Sequence, residues 1–457
     1  MNTTPAVGVS AGRIGGWAVS LPWGWGSALR STLLAPALIA SLALWLVVGV
    51  APAAAAPNSI GLRARYDVRA AIDWSANSLA VTSTAHVTNT TSAAVAKLTF
   101  NLLPLRLGKI SGLTATAGGG KVTPTVSDQS LIVRLPGLLT PGEKINVTIN
   151  YRATFNTDTG GKRSLLMKES GIAAAYRWIP WLSRELQFST PNFGESWVTA
   201  TSPRVTVTFT SDVPLKYATS GERTASNGNS QTFVARDVRD FNFSASPNYS
   251  VKKVTWGGIK VKVFYRTYDP DRLLLWTIGA LERFTAKVGR YPYDHFVVAE
   301  TPAGIGMESP AMVWIDATIG SSRFPHVVVH EVAHQWFYGT VGNNQATQPF
   351  VDEATADFLT RDLLNSFRGS GCAPGRLDKS VYDYSGNCYS EVIYVQGGLY
   401  LRNYREEVGA NTFWTGLNNF YRDRKFGIAN IRSLLDHLDA ASGFNSQLHE
   451  DRFPSLY

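Results

Sequence analysis

Short stretches in which apolar and polar residues alternate dominate the chain from about residue 58 to 265. They include Leu79–Val87, Leu131–Leu135, Ile145–Tyr151, Val205–Phe209 and Ile259–Tyr265. A period of two predicts strands with one buried face. Turn signals separate them, among them Gly118-Gly119-Gly120, Pro141-Gly142 and Asn227-Gly228-Asn229. Short strands at regular spacing predict a β-sandwich or saddle-like sheet domain. The period changes at Asp269-Pro270. From Asp271 to Val288, Leu274, Trp276, Ile278, Leu281, Phe284 and Val288 recur at helical spacing, and Gly289 follows. This predicts a helix with a glycine stop. Apart from Phe296–Ile315, helical patterning then runs to about residue 440, and 441–457 reads as a frayed tail. The expected fold class is therefore α+β and multidomain. A β-sheet domain over 58–265 precedes a mainly helical domain over 266–440.

The N-terminus has a different character. Leu33 to Val50 is an apolar run broken only by Pro36, Ser41 and Gly49. Arg30 precedes it, and small residues follow as Ala51-Pro52-Ala53-Ala54-Ala55-Ala56-Pro57. A positive flank, an apolar core and a small-residue site are the layout of an export signal. At 18 residues the run is also near the length that spans a bilayer. Residues 1–57 are thus expected to be a signal peptide or a membrane anchor, and either places the rest outside the cytoplasm.

Composition supports packed domains, with 44% hydrophobic and 17% charged residues. The formal charge of +9 comes from scattered Lys and Arg, without the basic runs of a nucleic-acid binder. Two cysteines, Cys372 and Cys388, lie close together in a Gly/Asp/Ser-rich stretch. In an exported chain such a pair is expected to form a disulfide that closes a loop.

The candidate chemistry centres on His330-Glu331-Val332-Ala333-His334. On a helix, positions i and i+4 face the same way, so both imidazoles can reach one ion. Glu331 lies beside them, placed to take a proton from water. Ser321 or Ser322 is expected to cap this helix, Pro325 fits its first turn, and Gly339 is the expected breaker. A catalytic Zn2+ needs a third protein ligand, and Glu353, in Val351–Thr360, is the candidate. Asp357, one turn on, is expected to accept a hydrogen bond from the far nitrogen of a liganding imidazole. His326 is read as peripheral.

These residues resemble the aminopeptidase N type of gluzincin zinc metallopeptidases, in which HExxH is followed, after eighteen intervening residues, by a glutamate. Here His330-Glu331 and His334 are followed at that spacing by Glu353, with His334-Gln335-Trp336-Phe337 and Asp352-Glu353-Ala354-Thr355-Ala356 also matching. Gly306-Met307-Glu308-Ser309 resembles the family's substrate-binding strand, Gly-Ala-Met-Glu-Asn, with Ile305 for its first Gly and Gly306 for its Ala. The resemblance implies that Gly306 and Met307 line the substrate and that Glu308 holds its free amino terminus. Val392–Gly398 resembles the family's Tyr-x-Lys-Gly segment with Gln396 in place of Lys, which implies that Tyr394 donates to the oxyanion. The family's Arg-rich and Asp-Glu-Pro segment has no match around Trp178 to Asn192. The helical domain that roofs the active site in larger members is not expected in this chain.

The expectation is an exported zinc metallopeptidase acting on peptides, with a thermolysin-like catalytic domain. Glu331 is its base, and His330, His334 and Glu353 are its zinc ligands. Two other readings remain: an open-cleft endopeptidase or small-ester hydrolase, and a non-catalytic extracytoplasmic binding module on a peptidase scaffold.

Overall fold

The computed structural model describes residues 59–158, 164–184, 198–302, 304, 306–385, 388–443 and 447–457. The apolar N-terminal segment, Ile305 and most of the stretch from Trp178 to Asn192 fall outside them. Among the described residues no helix is long and apolar enough to cross a membrane.

The N-terminal part is rich in β-sheet. Its largest sheet has eight strands, centred on the antiparallel run Arg63–Asp73, Ser78–Thr88 and Lys144–Thr154. Along Arg63–Asp73 exposure alternates residue by residue, and Ala64, Tyr66, Val68, Ala70 and Ile72 are buried. This is the one-sided burial that period-two patterning demands. Two four-stranded sheets complete this part. Its interior holds an aromatic cluster of Trp178, Phe209, Tyr217, Phe233 and Phe243.

A mainly helical part follows, built on a five-stranded sheet. The spatial order of its strands is Ser250–Trp256, Ile259–Tyr265, His295–Thr301, Met312–Asp316 and Met307–Ser309. The two central pairings are parallel and the two outer ones antiparallel. Its first hairpin reads in sequence as the end of the preceding β region, yet it pairs with His295–Thr301. Alternation reports that a strand has one buried face, but not which sheet it joins. His295–Thr301 is buried at every position, as expected of an interior strand between parallel neighbours.

The helices are α1 (Pro270–Lys287), α2 (Phe324–Ala333), α3 (Thr355–Leu364), α4 (Gly397–Val408), α5 (Ala410–Arg424), α6 (Ile431–Ser442) and α7 (Gln447–Arg452). Asp269 caps α1 by accepting from the Asp271 amide. A third cluster joins the two parts: Tyr176 and Tyr249 pack with Met307, Met312 and Trp314. The stretch read as a frayed tail contains α7, and Phe453 is fully buried against Phe350 and Tyr400. Six helical residues are too few to show a period, so one anchoring aromatic left no pattern.

Candidate functional site

Helix α2 delivers three of the site's groups. Its apolar residues Phe324, Val328, Val329, Val332 and Ala333 are buried, which fixes its rotation and turns His330 and His334 to one side. No side chain caps it. The Gly320 carbonyl instead accepts from the amides of Arg323 (3.0 Å) and Phe324 (3.1 Å), and Pro325 needs no acceptor. This turn takes the place of the expected Ser321 or Ser322 cap. The His330 and His334 Nε2 atoms lie 3.1 Å apart. A π-helical turn, Phe350–Ala354, brings Glu353 Oε2 to 3.2 Å from His330 Nε2 and 3.4 Å from His334 Nε2.

This triangle has the dimensions of a metal site. Ligand atoms ~2.0–2.1 Å from a tetrahedral ion stand about 3.3 Å from each other. His334 Nδ1 lies 3.0 Å from the Phe337 carbonyl, which only accepts, so Nδ1 carries the hydrogen. Nε2 then turns its lone pair toward Glu353 and His330. The charge balance agrees. Against the penalty of burial, His334 and the bond from His330 hold the Glu353 carboxyl below its usual range. Burial lowers His330, while at His334 the surrounding carboxylates, Glu353 foremost, outweigh burial and raise the imidazole pKa. Burial, with Glu308 and Glu353 nearby, pushes Glu331 up against the pull of His334. A buried cavity with three carboxylates and two imidazoles favours a cation at its centre. Neighbouring Asp352 is also raised, by burial first and then by Glu353, and it takes a hydrogen bond from Asn343.

Asp357 is placed differently from the expectation. Its Oδ1 lies 3.3 Å from His326 Nε2, and its Oδ2 accepts from Arg361 Nε. The buried His330 Nδ1 has no hydrogen-bond partner among the described residues. His326 therefore takes part in this cluster, its ring centroid 6.1 Å from that of His330. Arg361 was open to discovery in sequence, as it follows Asp357 at i+4.

On the other side of Glu331 stands the edge strand Met307–Ser309. Glu308 is buried, with Tyr176 donating to its Oε1 at 3.3 Å and Gln345 Nε2 at 3.1 Å. Arg177 Nη2 stands 3.9 Å away and donates to Gln345 Oε1 at 2.7 Å. Glu308, Glu331 and His334 present ligand-type atoms within 4.8 Å of one another. Tyr176, Arg177 and Gln345 left no signal in the sequence, because only folding brings them to Glu308. Met307 is buried in the joining cluster. Gly306 permits close approach: a Cβ there would sit 2.2 Å from Glu331 Oε1 and 2.8 Å from Val327 Cγ1.

Tyr394 lies on a second π-helical turn, Glu391–Gln396. Its ring stacks on His330 at 5.5 Å and 21°. Burial first, then Glu353, pushes its phenol well above the usual range, so it stays a hydroxyl donor. Gly397 lets this turn cross that of Glu353 closely, since a Cβ would meet Ala354 Cβ at 2.6 Å. Cys372 and Cys388 form a disulfide that closes the loop ahead of this turn. Beside these groups opens a cleft of about 550 Å³, lined by His330, Glu331 and Tyr394 together with Arg323, His326 and Arg368.

The fold has counterparts among solved structures. A variant of a two-domain M1 zinc metallopeptidase bound to L-arginine superposes with a TM-score of 0.66 at 18% identity, covering 84% of this chain and 94% of that one. An M1 zinc metallopeptidase variant from Deinococcus radiodurans gives 0.65 at 19% identity, over 86% and 96% of the two chains. The fold is that of the M1 zinc metallopeptidases. Another variant from that organism, bound to Tyr-Ser-Ala substrate, matches this M1-type fold at 0.64 and 18% identity, over 86% and 96%. In sequence, the Tricorn protease-interacting factor F2 of Thermoplasma volcanium is 23% identical over 138 residues, 25% of this chain and 18% of that protein's length. No family model matches the chain.

Proposed function

We propose that this protein is an exported zinc metallopeptidase that releases N-terminal residues from peptides. The observation that carries the reading is the convergence of His330, His334 and Glu353, with Glu331 beside them and Glu308 within reach. The donor set, two imidazoles and a carboxylate, suits zinc with a position left open for substrate. A zinc ion held there would act as a Lewis acid on the scissile carbonyl and acidify a water. Glu331 takes the proton from the attacking water and passes it to the leaving amine. Tyr394 donates its hydroxyl to the oxygen where negative charge develops. Glu308, fixed by Tyr176 and Gln345, receives the substrate's ammonium. The apolar run from Leu33 to Val50 supports export. A structure of the same fold holds Tyr-Ser-Ala as substrate, which supports peptides as the substrate class.

The test pairs a variant with a substrate series. Glu331→Gln should retain about one zinc per chain and lose roughly 10²–10⁴-fold in kcat, the range of general acid–base catalysis. N-acetylation of a cleavable peptide should abolish its hydrolysis. Full activity in Glu331→Gln would exclude the mechanism. Equal cleavage of free and acetylated peptides would instead indicate an endopeptidase.

A further inference from the structure

The cleft beside the metal-binding triangle is lined by groups of both charges. Glu308, Glu331 and Glu353 crowd the triangle itself. Glu331 lines the cleft while Glu308, within 4.8 Å of it, does not, so a peptide whose ammonium sits at Glu308 extends its leaving portion into the cleft. The cleft is also lined by Arg323, His326, Arg361 and Arg368 with Asp357 and Glu391, and Arg323 stands seven residues before His330, about 10 Å along the helix. Those two acids are already matched. Asp357 pairs with Arg361 and His326. Glu391 accepts both terminal nitrogens of Arg368, at 2.6 and 3.1 Å, and the Gly371 amide at 2.8 Å. Arg323 is exposed at the mouth of α2 and has no ion-pair partner among the described residues. Its guanidinium is the one positive charge of this lining that the described residues leave unbalanced.

We propose that Arg323 receives the C-terminal carboxylate of short peptides, so that the enzyme prefers substrates of a few residues with both termini free. The proposal rests on the peptidase reading above and names its substrate class. A guanidinium forks onto a carboxylate with two parallel hydrogen bonds, and a carboxamide offers neither the charge nor the second acceptor.

The experiment compares kcat/KM for Ala-Ala-Ala and for its C-terminal amide, using the full chain loaded with zinc. The wild type should favour the free acid about tenfold, the order of one charge-assisted hydrogen bond. The ratio should fall near one in Arg323→Ala and below one in Arg323→Glu. A wild-type ratio near one, or a ratio unmoved by Arg323→Ala, overturns the proposal. So does a ratio that collapses in Arg368→Ala and not in Arg323→Ala. Cleavage of neither peptide, or equal cleavage of N-acetylated peptides, counts instead against the aminopeptidase reading, so the two failures are distinguishable.

Discussion

At Gly306 a single hydrogen decides how near the edge strand Met307–Ser309 comes to Glu331. A methyl group would overlap Glu331 Oε1 at 2.2 Å and Glu331 Cδ at 2.7 Å, so the carboxylate or the strand must move. Displacing a reacting group by about 1 Å costs on the order of 10²-fold in rate. Gly306→Ala should therefore lose about that much kcat/KM while still binding zinc, which metal analysis beside kinetics would check. A second residue-scale prediction concerns Asp240, which accepts from Tyr338 and lies 3.8 Å from Arg177 Nε. Burial pushes its carboxyl up to about 6, against the pull of Arg177. The folded state then holds a proton that the unfolded state has released, between the ordinary carboxyl range and about pH 6. This group's contribution therefore favours folding at low pH and weakens as pH rises through that window. Between pH 7 and 5 the wild type should gain about 1 kcal/mol of stability relative to Asp240→Asn, as read from urea melts at the two values. A difference that does not change with pH would contradict the raised carboxyl.

The elements around Tyr394 show how a short turn is held. Glu391 and Gln396 close its two ends. Gln396 Nε2 donates to Ser370 Oγ (3.0 Å), Cys372 O (3.1 Å) and Ala373 O (2.9 Å). Its Oε1 accepts from the Gly375 amide (3.0 Å) and from Arg452 (2.9 Å) on the C-terminal helix α7. The disulfide ties the same loop to the start of the turn. If this frame aims the Tyr394 hydroxyl, Gln396→Ala should lower kcat about tenfold with little change in KM. The same loss is expected of Cys372→Ser/Cys388→Ser. Neither change should cost more once Tyr394→Phe is present, and kinetics on the double variants reads that coupling. Additive losses would mean that the frame serves stability alone. Sequence showed Tyr394 by resemblance, but not this frame: Gln396 stood out only as a departure, and Arg452 fell in a stretch without periodicity.

For the whole molecule, the β-rich part supplies side chains to the candidate site as well as bulk. Tyr176 and Arg177 reach Glu308 from it. Buried Arg239 donates to the carbonyls of Thr199 (2.9 Å), Gly339 (3.3 Å), Thr340 (3.2 Å) and Gly427 (3.0 Å), binding the segment after α2 to the β-rich part. A metal at the triangle would bind the folded state alone and add to its stability by mass action. Chelation should therefore abolish activity and lower Tm by several degrees, with zinc restoring both. In Glu353→Gln, which has lost the anionic ligand, zinc should restore neither at the same concentration.

The local chemistry of this protein was written in its sequence. Helical spacing turns His330 and His334 to one side, and alternation marks which strand faces are buried, because both follow from the geometry of a few consecutive residues. Glu353 was legible because its spacing from that pair could be counted. Folding alone decided that Asp357 pairs with His326 and Arg361, that Tyr176 and Gln345 hold Glu308, that Ile259–Tyr265 joins the sheet of His295–Thr301, and that Phe453 is buried. Apart from the i+4 pair of Asp357 with Arg361, those pairings span from a few tens to over a hundred residues, where side-chain packing and the burial of polar groups choose the partner and no local period records the choice.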